Sequence, residues 1–122
     1  MKFTNNPPLL AYFGLIAVVM SFTANAASAN DASHFANGKT KYQQLCQTCH
    51  GNKGLGDGPA SASLPNKPAN IPKKLGQFFT TKNTLADEIL EGNIEEGMPA
   101  WQGVITKQDA IDVLDYIATI QR

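Results

Sequence analysis

An all-α fold is predicted for this chain of 122 residues. Helical periodicity marks the segment after residue 31 and the last seventeen residues, no stretch alternates as a strand would, and residues 51–83 between them hold no period at all.

The first 26 residues stand apart from the rest. Lys2 and the α-amino group make a positive start, Leu9 to Phe22 is an uncharged apolar run of 14 residues, and Ala24-Asn25-Ala26 offers small residues for cleavage. A helix crossing a bilayer needs about 20 apolar residues. The sequence therefore predicts a signal peptide over 1–26, cut after Ala26, with export to the periplasm and no stable membrane insertion afterwards. The expected domain, 27–122, has 96 residues, few for a fold held by apolar burial alone.

In the first predicted helix Phe35, Gly38, Tyr42, Leu45 and Cys49 recur at spacings of three and four, behind a cap at Asp31 or Ser33. It should end near His50-Gly51. Gly38 in mid-helix costs about 1 kcal/mol relative to Ala, which implies that another backbone passes close by. Residues 51–83 carry five glycines and four prolines and read as loop. A structureless connection longer than about 15 residues is uncommon in a compact domain unless it wraps something other than protein. A large flat cofactor would give Leu55, Leu64, Ile71, Leu75, Phe78 and Phe79 a surface to bury against. Thr84 with Asp87 resembles a capping box opening a short helix through Leu85, Ile89 and Leu90, stopped by Gly92. After a loop holding Met98-Pro99-Ala100-Trp101, Thr106 with Asp109 opens the last helix. Its stripe is Ile111, Leu114, Ile117 and Ala118, widened by Val113, Tyr116 and Ile120.

Residues 27–122 carry nine basic and ten acidic side chains, a balance that points to no nucleic-acid partner. The distribution is lopsided. Seven lysines fall in 31–83 against Asp31 and Asp57, whereas 84–122 holds eight carboxylates against Lys107 and Arg122.

The chemistry sits in Cys46-Gln47-Thr48-Cys49-His50, a C-x-x-C-H pattern for covalent attachment of c-type haem. Cysteines three apart on a helical turn project to one side and can add to the two porphyrin vinyl groups, while the next residue brings an imidazole to the iron. A disulfide here would enclose two residues and constrain little. A thioredoxin-like pair would want a strand before it and a helix after it, and zinc would want more ligands than this cluster and His34 supply. Met98 is the one methionine beyond the apolar run. With a haem and one axial His granted, its thioether is the obvious sixth ligand, and His/Met ligation leaves no position for substrate.

These residues resemble the class I monohaem cytochromes c, and the resemblance spans most of 27–122. It implies one covalent haem c on Cys46 and Cys49, axial His50 and Met98, and N- and C-terminal helices that cross through Gly38 and Tyr42 against Leu114, Tyr116 and Ile117. By the same resemblance Gly54 to Pro59 looks like a glycine-rich loop whose Pro59 carbonyl accepts the Nδ1–H of His50, Pro68-Ala69-Asn70 looks like a turn of the same branch, and Trp101 packs near the haem edge. Phe78 and Phe79 read as pocket wall and His34 as a solvated side chain. Lys53, Lys67, Lys73, Lys74 and Lys82 are either plain surface charge or a ring that steers an acidic partner.

The expected function is one-electron transfer between redox protein partners, a donor dehydrogenase or cytochrome complex and an acceptor oxidase or reductase, with no enzymatic residue. Two alternatives stand beside it: the electron-accepting subunit of a periplasmic dehydrogenase, and a gas-binding or peroxidatic haem protein with an open sixth position.

Overall fold

The computed structural model describes residues 29–122; the signal peptide expected over 1–26 lies outside them. The described residues 29–33 fall in a first unit, Met1–Ser33, and the remainder forms a second, His34–Arg122. Residues 29–33 are helical, with the Ser33 hydroxyl donating to the Asn30 carbonyl at 2.7 Å. Neither Asp31 nor Ser33 is therefore the helix cap: helix has already begun at residue 29.

The second unit is helical, as the sequence predicts, and its described residues include no strand. Helix α1 occupies 34–45, breaks at Cys46, and is followed by the single turn α2, Gln47–His50, which ends at Gly51. The middle stretch is less featureless than expected. It contains a 3-10 turn at Ser61–Ser63 and a short α3, Ile71–Leu75, whose cap Asn70 accepts from the Lys73 N–H. Helix α4 runs Lys82–Glu91, three residues longer at its start than the Thr84–Asp87 reading allows, because Thr81 is the cap and its hydroxyl accepts from the Thr84 N–H at 3.1 Å. Gly92 ends it, as expected. A second 3-10 turn, Ile94–Glu96, leads to α5, Lys107–Thr119. The Thr106–Asp109 capping box is present in both directions.

Helix α5 is the spine. It supplies Ala110, Val113, Leu114, Tyr116 and Ile117 to the core and also buries the carboxylate of Asp112. One side of it packs with Leu85 and Ala86 of α4 and with Ile105, Leu114 belonging here rather than against α1. Another side, Val113, Tyr116 and Ile117, packs with Tyr42 of α1. Ile71 and Leu75 of α3 touch both groups.

The predicted close approach at Gly38 is met by α5. A Cβ placed there would lie 2.0 Å from the Asp112 carbonyl oxygen and 3.0 Å from the Val113 nitrogen, so only glycine lets the two backbones lie together. Tyr42, wholly buried, sits one turn on with its ring centroid 5.8 Å from that of Tyr116, and Phe35 meets Tyr116 edge-on at 5.4 Å. His34 is tied into this crossing, its Nδ1 lying 2.9 Å from Asp112 Oδ1. Asn37 donates to Asp109 and Asp112, and Gln108 to Asp112. Burial pushes the Asp112 carboxyl up, but these hydrogen bonds outweigh it and hold the group below its ordinary range.

Candidate haem-binding site

A cleft of about 430 Å³ opens beside α2, within the ~300–1,000 Å³ usual for cofactor sites. Cys46, Cys49 and His50 line it from the motif, Leu45 from α1, Leu64, Pro68 and Ala69 from the middle stretch, and Met98, Pro99 and Trp101 from the loop after α4. Five of the six residues expected to serve a haem, Cys46, Cys49, His50, Met98 and Trp101, thus meet on one cavity from segments up to 55 residues apart.

The motif is presented by local hydrogen bonds. The Cys46 carbonyl accepts from the N–H groups of Cys49 (3.2 Å) and His50 (2.9 Å), closing the turn that keeps both sulfurs and the imidazole together. Behind it the Tyr42 hydroxyl donates to the Gly51 carbonyl at 2.5 Å, fixing the end of α2 to the crossing. Burial keeps the Tyr42 hydroxyl far above the ordinary tyrosine range. Both cysteines are free and half-buried. Burial and the neighbouring Cys49 push the Cys46 thiol up to about 11. That is the reverse of the low-pKa thiolate on which a dithiol redox pair depends.

The expected partner of His50 is corrected by the structure. Its Nδ1 lies 3.1 Å from the carbonyl oxygen of Ala69, not of Pro59. The cause is backbone pairing: the Gly58 N–H donates to the Cys49 carbonyl and the Ala60 N–H to Thr48, which binds 58–60 along the far side of α2. Pro59 is exposed there and lines a different, wider depression with Gln47, Leu55 and Asp57. Meanwhile the Ile71 N–H donates to Gly54 and the Gly56 N–H to His50, drawing 69–71 up to the imidazole. Burial lowers the His50 pKa, and the Ala69 carbonyl offsets part of that. Burial thus favours the neutral form of the half-buried ring, with Nδ1 engaged and Nε2 the nitrogen left for a ligand.

Met98 is held as firmly. Asn93 and Met98 exchange backbone hydrogen bonds in both directions, each 2.8 Å, around the Ile94–Glu96 turn. Gly92, with φ of +70°, lies so close to the returning chain that a Cβ would stand 2.5 Å from the Ala100 nitrogen. Trp101 is anchored by its N–H to the Leu90 carbonyl at 3.0 Å and packs on the α4–α5 core as well as on the cleft.

Three other expectations are revised. Of the six apolar residues thought to need a cofactor surface, only Leu64 lines the cleft; Ile71 and Leu75 are used by the protein core, and Leu55 faces the depression beside Pro59. Phe78 and Phe79 are not pocket wall but almost fully exposed, because the turn that carries them leaves the body of the domain between α3 and α4. The lysines do not ring the cleft. Lys67 and Lys74 line it, but so do Glu88, Glu91 and Glu96. The carboxylates were legible only as a C-terminal excess, because their place on the rim depends on how α4 lies.

Among the described residues no three His, Cys, Asp or Glu side chains cluster to hold a metal ion unaided. The cleft instead joins two thiols, an oriented imidazole and a thioether, with apolar walls from Leu45, Leu64, Pro68, Pro99 and Trp101 and a charged rim, a donor set that fits a covalently attached iron porphyrin. Comparison with known proteins agrees. The family model described as "Cytochrome C oxidase, cbb3-type, subunit III" matches residues 33–117. The chain belongs to this family. It is accordingly a small c-type monohaem cytochrome with a covalently bound haem, and an electron-transfer protein. Among solved structures it is similar to a chain of the Kuenenia stuttgartiensis reducing HAO-like protein complex Kustc0457/Kustc0458, with 27% identity and a TM-score of 0.59 over 68% of this chain. This cytochrome spans 40% of the length of that relative. No curated protein matches it.

Proposed function

We propose that residues 27–122 are a periplasmic one-electron carrier in which Cys46 and Cys49 attach the haem and His50 and Met98 bind its iron axially. The observation that carries this reading is the convergence of those four side chains, from two separate segments, on one cleft. When bound, the haem supplies a one-electron ferrous/ferric couple. His50, with Nδ1 turned to Ala69, contributes a neutral and fixed imidazole. Met98, its backbone locked to Asn93, would hold the iron through its thioether, and such ligation would resist exogenous ligands and favour the reduced state. Leu64, Pro68, Pro99 and Trp101 exclude water. No residue of the cleft is needed as an acid, base or nucleophile. The apolar run from Leu9 to Phe22 supports export, and a donor and an acceptor protein supply and remove the electron.

The test is the absorption spectrum of the oxidised protein. The weak far-red band of a Met–iron bond is expected in the wild type and should vanish in Met98→Ala. A wild type without that band, or one whose ferrous form binds carbon monoxide at neutral pH, would shift the reading to an open-site haem protein. One observation favours a second reading as a subunit: the structural relative is part of a complex and is much longer than this chain. Co-elution of the native protein with a dehydrogenase on size exclusion would establish that reading, and a monomeric peak would remove it.

A further inference from the structure

The turn between α3 and α4 has no part in the cleft, yet it carries the two most exposed large apolar side chains among the described residues. Phe78 is 93% exposed and Phe79 91%. Their rings meet edge to face, with centroids 5.0 Å apart, so they form one projecting aromatic knuckle. The backbone below is fixed: the Gln77 N–H donates to the Lys74 carbonyl and the Thr80 N–H to the Gln77 carbonyl. Such a pair in water forgoes the burial that drives folding, and contiguous apolar exposure of this kind marks a binding surface.

Along the chain the charge on either side of the turn has one sign. From Gly58 to Ala86 there is no carboxylate, and the stretch carries Lys67, Lys73, Lys74 and Lys82. Lys74 and Lys82 are engaged by Glu88 and Asp115. Lys67 and Lys73 are exposed and make no ion pair among the described residues. Lys67 belongs to the cleft, whereas Lys73 lies in α3 just before the turn. An aromatic pair with a lysine beside it matches the boundary of an anionic bilayer, where rings enter the interfacial layer and ammonium groups stay with the headgroups.

We propose that the Phe78–Phe79 turn is a peripheral membrane contact, seating its two rings in the interfacial layer of an anionic lipid surface with Lys73 beside the headgroups. A protein partner would have to offer a pocket enclosing both rings on nearly every side, whereas a bilayer closes around a protruding pair without one. Because α3 also contributes Lys74 to the rim of the cleft, the contact would hold the cleft near the membrane surface. The contact is reversible and does not depend on which residues bind the iron.

The test is flotation of the mature haem-loaded protein with vesicles of phosphatidylglycerol and phosphatidylcholine in equal parts, and with phosphatidylcholine alone. The wild type should float with the anionic vesicles at low ionic strength and much less with the neutral ones. Phe78→Ser with Phe79→Ser should weaken flotation about tenfold or more, and Lys73→Gln severalfold with a shallower salt dependence, both with an unchanged visible spectrum. Since every variant carries the same N-terminus, the ratio to wild type reports the turn alone. Absence of flotation, equal flotation with neutral vesicles, or an undiminished double-Phe variant would overturn the proposal. Loss of a protein partner from the double variant without any lipid binding would instead assign the turn to that partner.

Discussion

Where α1 crosses α5, backbone touches backbone at Gly38, Tyr42 and Ile117 are fully buried, and Asp112 is satisfied by His34, Asn37 and Gln108. Around the cleft, by contrast, not one lining residue is fully buried. The first region is complete as protein, while the second is a set of half-exposed walls held in place by loop hydrogen bonds. The difference teaches that this domain has two cores, one made of side chains and one finished by the haem.

The largest expected effect would break the second core alone. On the attachment proposed above, Cys46→Ala with Cys49→Ala should abolish covalent haem, and the resulting protein should be poorly folded, with broad amide spectra for residues 92–104 and a loss of cooperative unfolding. Well-dispersed native-like spectra without haem would show that the cleft walls stand by themselves and that the comparison is wrong.

Next in size is the reverse experiment. Gly38→Ala forces a methyl group against the Asp112 carbonyl, and overpacking of this kind costs about 1–3 kcal/mol, here at the upper end because the obstacle is backbone. Urea denaturation of the haem-loaded protein should show that loss while the visible spectrum stays unchanged. A shifted spectrum with unaltered stability would mean that the crossing and the cleft are not separate regions.

The two regions also differed in how far they could be read in advance. The crossing was legible because its signals are local: a costly glycine in helical register, an aromatic one turn on, and a cap whose partner stands three residues away. The motif was legible for the same reason, as residue types at short spacing, and Met98 was singled out by counting the methionines and stands on the same cleft. What failed was the fate of residues 51–83, where side-chain direction is decided by pairings distant in sequence. Ala69 replaced Pro59 beside His50 because Gly58 and Ala60 bond to the back of α2, and no periodicity reports such a choice. Phe78 and Phe79 were assigned inward on hydrophobicity alone, a rule that holds for the average aromatic residue and not for a binding surface. The partners of Asp112 were also missed: His34 reads as an ordinary solvated side chain, and nothing in the spacing singles out Asn37.

A smaller effect would sharpen the account of the crossing. Hydrogen bonds from Asn37 and from the Thr106 backbone hold the Asp109 carboxyl at about 2, against an ordinary 3.8, and Asp112 is lowered in the same direction. A carboxyl whose folded pKa is depressed adds stability that is full above its unfolded value and disappears as pH falls through the folded one. Stability of the haem-loaded protein should therefore decline between about pH 4 and pH 2, and Asp109→Asn should flatten that limb. Thr106→Ala removes the cap itself and should cost about 1 kcal/mol at neutral pH. An acid limb unchanged in Asp109→Asn would show that these bonds are not what ties the start of α5 to α1.

The smallest effect belongs to the rim of the cleft, where Lys74 of α3 meets Glu88 of α4 at 2.7 Å. Both side chains are about half exposed, so solvent screens the attraction and each long chain gives up rotamer freedom to hold the contact. A double-mutant cycle with Lys74→Gln and Glu88→Gln should yield a coupling of about 0.5 kcal/mol or less, fading further in salt. The buried Asp112 network, removed in the same way through Asn37→Ala and Asp112→Asn, should couple more strongly because water cannot replace its bonds. If the rim pair proved the stronger of the two, the cleft would have a protein latch of its own, and its walls would not need the haem to hold them together.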